Sequence, residues 1–129
     1  MSSSRSTSRA DSFRHAFAGV AYALSTQPNT RIHAAIMVGT AGLGAWLRIP
    51  AGGWALIALA AGAVWTAELV NTALEAVVDL ASPDHHPLAK AAKDTAAAAV
   101  LLAAVTAVIV GLLVLGPPLF ERLRPLLAP

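Results

Sequence analysis

Four polar side chains interrupt a long apolar segment, residues 54–80, at spacings that place them together. They are Glu68, Asn71, Glu75 and Asp79. At about 100° per residue of an α-helix, the four positions fall within an arc of about 80° on one face. An ionised group inside a bilayer costs at least roughly 2.5 kcal/mol, so this stripe is expected to bind a ligand or move a proton. The alternative is that the four side chains hydrogen-bond to neighbouring helices and hold them together.

A second group of ionisable residues follows in the segment 82–94. Two prolines, at positions 83 and 87, bracket Asp84, His85 and His86. A helix that resumes near residue 88 places three further charges on one face, namely Lys90, Lys93 and Asp94. Two lysines and an aspartate at a helix entrance have the charges needed to hold phosphates and share a metal ion. The alternative is a solvated helix start beside ordinary loop histidines.

The composition predicts the environment of these groups. Of the 129 residues, 57% are hydrophobic and only 12% charged, and the mean hydropathy is +0.65. These values exclude a disordered chain and favour an integral membrane protein over a soluble domain. The absence of cysteine excludes disulfides and thiolate metal sites. A formal net charge of +2 is too small to indicate a nucleic-acid partner.

The apolar segments predict an all-α membrane fold with three transmembrane helices. The spans are expected at about residues 32–50, 54–80 and 95–116, and residues 96–116 contain no charge at all. Residues 11–27 predict an amphipathic helix on the membrane surface. We expect a polar, disordered N-terminus at 1–11, a single membrane-embedded domain at 12–116 and an interfacial tail at 117–129 after Pro117 and Pro118.

Charge bias and helix rise give an orientation and a depth. One side of the membrane has six basic residues, Arg5, Arg9, Arg14, Arg31, Lys90 and Lys93. The other side has three, Arg48, Arg122 and Arg124. The larger set predicts a cytoplasmic N-terminus. Measured from Trp54 at the outer interface, Glu68 lies about 21 Å and Glu75 about 32 Å along the helix, so Glu68 is expected just inside the cytoplasmic boundary of the hydrocarbon.

The polar stripe and the loop that follows it resemble one known family. Residues 68–79, ELVNTALEAVVD, and residues 86–94, HPLAKAAKD, resemble the prokaryotic diacylglycerol kinase family of small integral membrane lipid kinases. The segments FRHAFAGVAYAL at 13–24 and NTRIH at 29–33 are similar as well, so the resemblance covers residues 12–115. The sequences of the RIH and HPLAKAAKD motifs are more similar to those of the Gram-positive branch, whose members phosphorylate undecaprenol.

The resemblance implies a kinase that uses ATP and Mg²⁺, assembled as a homotrimer in the cytoplasmic membrane with sites shared between subunits. Glu68 would be the general base for the lipid hydroxyl, and Asn71 would support the site. Glu75 would bind the magnesium ion, with Gln27 at the position of a second metal ligand. The residues implied to hold the nucleotide are Asp79, Asp84, His85, His86, Lys93 and Asp94.

Two positions depart from the family pattern. Gln27 stands where a metal-binding glutamate is usual, and Ala98 stands where glycine is usual. A glutamine offers a carbonyl oxygen without charge, so we expect weaker metal binding. The function expected first is phosphorylation of undecaprenol, with diacylglycerol as the alternative acceptor. A small proton-coupled transporter and a structural subunit without chemistry are the alternatives from other classes.

Overall fold

The computed structural model describes residues 8–82, 84 and 86–127, and these form four α-helices with no strand among them. The helices are α1 (Arg9–Thr26), α2 (Pro28–Leu47), α3 (Ala51–Ala81) and α4 (Pro87–Leu127). The predicted all-α class is confirmed. His85 lies outside the described residues, as do residues 1–7, 83, 128 and 129.

The first helix begins earlier than the disorder predicted for residues 1–11 allows. Ser8 and Asp11 form a capping box, in which Asp11 N–H donates to Ser8 Oγ at 3.2 Å and Ser8 N–H donates to Asp11 Oδ2 at 3.3 Å. These bonds satisfy two backbone donors at the helix start, so residues 9–11 are helical. Phe13 and Phe17 of α1 are 68% and 72% exposed, and therefore available to a lipid surface.

A single residue separates α1 from α2. Gln27 is the C-cap of α1 and the N-cap of α2, and Pro28 opens the second helix. Proline is favoured in the first turn of a helix because it has no N–H to leave unpaired there. Arg31 donates from Nε to the Leu24 carbonyl at 2.7 Å, which satisfies the C-terminal end of α1. This junction, called here the α1–α2 corner, therefore determines the position of the Gln27 side chain.

A tight turn joins α2 to α3 at the other end of the helices. Arg48 has φ 55° and ψ 47°, in the left-handed region. Ile49 N–H donates to the Gly44 carbonyl at 3.2 Å and Arg48 N–H to the Ala45 carbonyl at 3.1 Å, the pattern of a Schellman motif. A Cβ added at Gly44 would lie 3.1 Å from the Ile49 side chain, so glycine permits this close turn.

The last helix differs from the prediction of a separate tail at 117–129. It continues through Pro117 and Pro118 to Leu127, a length of 41 residues. The prolines remove two backbone donors, but the segment after them is held to the rest of the chain. Leu119 packs against the hydrophobic cluster at the α2–α3 turn, and the Arg122 guanidinium lies 4.7 Å from the centre of the Trp46 ring.

The hydrophobic core is small and lies at the turn end of the bundle. Its buried members are Leu47, Ile49 and Leu115. Most other large apolar side chains are exposed, including Leu112 and Leu113 of α4. Within the described residues, α3 and α4 are long and apolar enough to cross a membrane. The span predicted at residues 32–50 corresponds to α2, a helix of 20 residues that begins with several polar residues and does not reach the same apolar character.

Candidate active site

Glu68 is the most deeply buried charged residue in the described part of the chain. It is 2% exposed, and it lies near the middle of α3 at the buried end of the polar stripe. Its Oε2 atom accepts a hydrogen bond from Thr30 Oγ1 at 3.1 Å. Its Oε1 atom lies 3.2 Å from His33 Nε2, although that contact is not aligned as a hydrogen bond. Two residues of α2 therefore contact the two oxygens of a buried carboxylate, one of them through a hydrogen bond.

Thr30 and His33 received no role in the sequence analysis. Thr30 is fully buried, and the His33 side chain is 21% exposed. The two residues are three positions apart, so a helix presents them on the same face. That spacing, within the segment NTRIH at residues 29–33, is the signal that could have identified them. Their partner Glu68 is 38 residues from Thr30, and no local pattern shows such a pairing.

Glu75 lies two helical turns along the stripe and is half-buried. Gln27 Nε2 donates to its Oε2 atom at 2.8 Å, and Asn71 Nδ2 donates to its Oε1 atom at 2.9 Å. The structure thus brings Gln27, Asn71 and Glu75 together, as the resemblance implies. The first of these bonds also ties the α1–α2 corner to α3.

The residues around Glu75 fit a magnesium ion whose remaining ligands come from elsewhere. The two amide groups each carry an oxygen as well as the nitrogen that now bonds to Glu75, and the Oδ1 atom of Asn71 is buried without a hydrogen-bond partner in the described residues. Mg²⁺ is commonly held by one or two carboxylates, with phosphates and water as the other ligands. No group of three His, Asp or Glu residues gathers in the described residues, so the side chains around Glu75 do not form a complete set of metal ligands by themselves.

The outer end of the stripe carries an ion pair between two helices. Lys93 of α4 bonds through Nζ to Oδ1 of Asp79 on α3. Their side chains are 38% and 66% exposed. Lys90 instead pairs with Asp94 one turn along α4, and this pair is fully on the surface. Lys93 therefore lies beside the stripe, whereas Lys90 and Asp94 lie farther into solvent.

The loop before α4 contains the remaining predicted residues. Asp84 is exposed, and its carbonyl accepts a hydrogen bond from Ser82 Oγ at 3.1 Å. His86 is exposed, and its Nδ1 atom accepts from Leu88 N–H at 3.2 Å, so the imidazole caps the start of α4. In the described residues neither side chain contacts Glu68 or Glu75. Ala98, the other departure, is exposed on α4.

Burial decreases steadily along the stripe. Glu68 and Asn71 are buried, Glu75 is half-buried, and Asp79 is exposed beside Lys93. Charged groups cluster at the exposed end, where water solvates a polar ligand. A carboxylate held away from water lies at the other end, about 10 Å from Glu75 along the helix. This arrangement suits a reaction between a water-soluble anion and an apolar alcohol, with a base at the alcohol's end.

An apolar cleft adjoins the buried end of the stripe. It has a volume of about 350 Å³, lies between α2, α3 and α4, and has His33 among its lining residues. Nearly all of the other lining side chains are aliphatic, with Thr40 and Trp65 as the polar exceptions. A hydrocarbon chain fits such a lining better than a polar ligand does.

Comparison with known proteins identifies one family. The family model described as prokaryotic diacylglycerol kinase matches residues 14–115. The chain is 52% identical over 111 residues to a diacylglycerol kinase of Synechocystis sp.. The aligned residues make up 85% of this chain and 63% of that relative. The chain thus spans less than two thirds of the length of this relative.

Two further relatives are also named as lipid kinases. The chain is 43% identical over 108 residues to an undecaprenol kinase of Bacillus subtilis, covering 84% of this chain and 88% of the relative. It is 41% identical over 64 residues to a diacylglycerol kinase of Escherichia coli, covering 50% of this chain and 52% of the relative. The matched segment of the family model includes all four residues of the polar stripe.

Proposed function

Because the chain belongs to the prokaryotic diacylglycerol kinase family, we propose that it is a membrane lipid kinase that transfers the γ-phosphoryl group of ATP to a lipid hydroxyl. One observation carries the proposal beyond the family. A carboxylate that is 2% exposed and contacted by two side chains of α2 lies on one face of α3. The same face carries a half-buried carboxylate and an aspartate that pairs with a lysine. A kinase for a lipid alcohol needs groups of these types in this order.

Glu68 is the proposed general base. Its carboxylate takes the proton of the lipid hydroxyl as the hydroxyl oxygen bonds to the γ-phosphorus and the bond from that phosphorus to the bridging oxygen of ADP breaks. The burial of Glu68 excludes water that would compete with the lipid for the phosphoryl group. Asn71, one turn away, supports the site by holding Glu75.

Glu75 is the proposed magnesium ligand, with the side-chain oxygen of Gln27 as a second ligand after its amide turns over. Mg²⁺, when bound, neutralises charge on the phosphates of ATP. Lys93 and Asp79, with Asp94, Asp84 and His86, are proposed to hold the nucleotide at the exposed end of the stripe. His85 is proposed with them and lies outside the described residues.

The proposed assembly is a homotrimer in the cytoplasmic membrane. In it α2, α3 and α4 span the bilayer, α1 lies on the cytoplasmic surface, and the N-terminus is cytoplasmic. The exposed apolar side chains of α4 support this arrangement, because only 6% of the most apolar stretch of α4 is buried within the described residues. Such a surface needs lipid or another copy of the chain to cover it.

The proposed acceptor is undecaprenol, with diacylglycerol as the alternative. The undecaprenol kinase of Bacillus subtilis aligns over 88% of its own length, which supports the first acceptor. The higher identity to a diacylglycerol kinase, 52%, supports the second. The two lipids both present a hydroxyl at the membrane surface, so the site geometry suits either.

The test is a transfer assay with purified protein in detergent micelles, labelled ATP, Mg²⁺ and each lipid in separate reactions. We expect labelled phosphate on one lipid or both, and none when ATP is omitted. A proton-coupled transporter would also use a buried glutamate, but it would not label either lipid. Absence of transfer to both lipids by folded protein would contradict the proposed kinase.

A further inference from the structure

We propose that His33 is a positioning residue that orients the Glu68 carboxylate so that Oε1 faces the lipid hydroxyl. The inference rests on the proposed function, since it gives His33 a part in the reaction assigned to Glu68. It concerns a residue of α2 to which the motifs of α3 and α4 assign no role.

The two oxygens of Glu68 are held differently. Oε2 accepts an aligned hydrogen bond from the hydroxyl of Thr30 at 3.1 Å. Oε1 is buried and has no aligned hydrogen bond, and His33 Nε2 lies 3.2 Å from it. A carboxylate oxygen has two acceptor directions, so Oε1 can take an imidazole N–H and still receive a proton from a hydroxyl. Oε1 is therefore the oxygen available for proton transfer.

The location of His33 connects this oxygen with the apolar cleft. The His33 side chain is 21% exposed, whereas that of Glu68 is 3% exposed. His33 also lines the cleft of about 350 Å³ between α2, α3 and α4. An alcohol whose hydrocarbon chain lies in or beside this cleft reaches Glu68 past the imidazole. His33 is thus placed to fix the carboxylate at the point where the hydroxyl arrives.

The present contact needs only a small change to become a hydrogen bond. The Nε2 to Oε1 distance of 3.2 Å is already within hydrogen-bonding range, although the contact does not have the geometry of a hydrogen bond. Hydrogen bonds in catalytic sites are often poorly aligned before the substrate binds and tighten in the complex.

The test compares two substitutions of similar size. His33→Gln keeps an N–H donor that can reach Glu68, and His33→Leu removes it while still filling space. With undecaprenol and diacylglycerol as probes in micelles, we expect His33→Leu to lower kcat roughly 10- to 100-fold, as the loss of a hydrogen bond to a charged group would. The KM for ATP should be unchanged, because the nucleotide residues lie elsewhere. His33→Gln should restore most of kcat.

Two further variants separate positioning from folding. Thr106→Val removes a hydroxyl from α4 outside the cleft without changing the size of the side chain, and should leave kcat unchanged. His33→Asn carries an amide too short to reach Glu68, and should behave like His33→Leu even if the leucine variant aggregates. All variants are compared for elution in detergent and for thermal unfolding.

A double substitution tests whether His33 acts through Glu68. Glu68→Asp withdraws the carboxylate by one methylene, so adding His33→Leu to it should lower kcat much less than His33→Leu does alone. Equal losses in both backgrounds, or equal kcat for His33→Gln and His33→Leu, would overturn the positioning role while transfer by the unsubstituted protein upholds the kinase. Absence of transfer by the unsubstituted protein would overturn both.

Discussion

Gln27 is a residue whose amide can meet Glu75 in two ways. In the structure the nitrogen donates to Glu75 Oε2 at 2.8 Å, which ties the α1–α2 corner to α3. A cation at Glu75 would instead require the amide oxygen. Metal binding therefore competes with the hydrogen bond between Gln27 and Glu75. The competition arises because residue 27 is a glutamine, whose amide nitrogen can donate to Glu75.

We expect Gln27→Glu to bind divalent cations about tenfold more tightly, because it adds a charged oxygen ligand and removes the competing donor. The measurement is Mn²⁺ binding by electron paramagnetic resonance, with the Mg²⁺ dependence of turnover beside it. Two carboxylates at 27 and 75 would repel each other without metal, so the variant should also gain more thermal stability from Mg²⁺ than the unsubstituted protein gains. Gln27→Leu is the control and should show neither gain. Equal Mn²⁺ affinity in Gln27→Glu and the unsubstituted protein would refute this role.

The two lysines of α4 give a second contrast at the residue scale. Lys93 pairs with Asp79 across two helices, whereas Lys90 pairs with Asp94 on its own helix. We expect Lys93→Ala to lower kcat/KM for ATP roughly 10- to 100-fold, since it removes a charge proposed to contact phosphate. Lys90→Ala should have a smaller effect. Steady-state kinetics with varied ATP measures both, and a larger loss in Lys90→Ala would show that the wrong lysine has been assigned.

Helical spacing alone predicted part of the site. Residues 68, 71, 75 and 79 share a face of any α-helix that contains them, so their alignment follows from the sequence. Their decreasing burial follows from the expected positions of these residues along the membrane span. The contacts of Glu68 with Thr30 and His33, and of Glu75 with Gln27, join residues 35 to 48 positions apart. Such contacts depend on how α2 packs against α3, and no local pattern encodes that packing.

The ends of α1 and α4 also depend on contacts that local sequence patterns do not predict. Ser8 and Asp11 carried the capping-box spacing, but the serine-rich residues around them predicted disorder. Pro117 and Pro118 predicted a helix end, because proline removes a backbone donor. Leu119 and Arg122 pack against distant residues near the α2–α3 turn, and this packing keeps α4 helical.

The α2–α3 turn offers a stability prediction. Arg48 has φ 55°, which a β-branched side chain adopts only with strain. We expect Arg48→Val to lower the free energy of unfolding by about 1–2 kcal/mol and Arg48→Gly to leave it nearly unchanged. Thermal unfolding of both variants in one detergent gives the comparison. A valine variant as stable as the glycine variant would show that this turn does not require the left-handed conformation.

In the described residues, only a few of the many hydrophobic side chains are buried within the single chain. The buried hydrophobic cluster is confined to the turn end, while Val108, Leu112 and Leu113 of α4 remain exposed. Lipid covers part of such a surface, and the proposed trimer covers the rest. The shared sites implied by the family resemblance would then place α4 of one copy near the stripe of another.

The trimer gives a prediction at this scale. Native mass spectrometry in a mild detergent should show an assembly of about three times the chain mass of 13.2 kDa. Substituting exposed Leu112 and Leu113 with alanine reduces the apolar surface of α4 and should shift the population toward single chains. The buried Glu68 site should not affect the assembly, so Glu68→Gln serves as the control. A single-chain mass for the active, unsubstituted protein would contradict the trimer.

Glu68 is proposed to accept the proton of the lipid hydroxyl. Glu68→Gln removes this ability, because glutamine keeps the size of the side chain and can still bond to Thr30 but cannot take the proton. The measurement is the rate of phosphate transfer from labelled ATP to undecaprenol and to diacylglycerol, with assembly and nucleotide binding checked on the same sample. We predict that transfer is abolished while assembly and nucleotide binding are retained. Turnover equal to that of the unsubstituted protein would contradict the general-base role of Glu68.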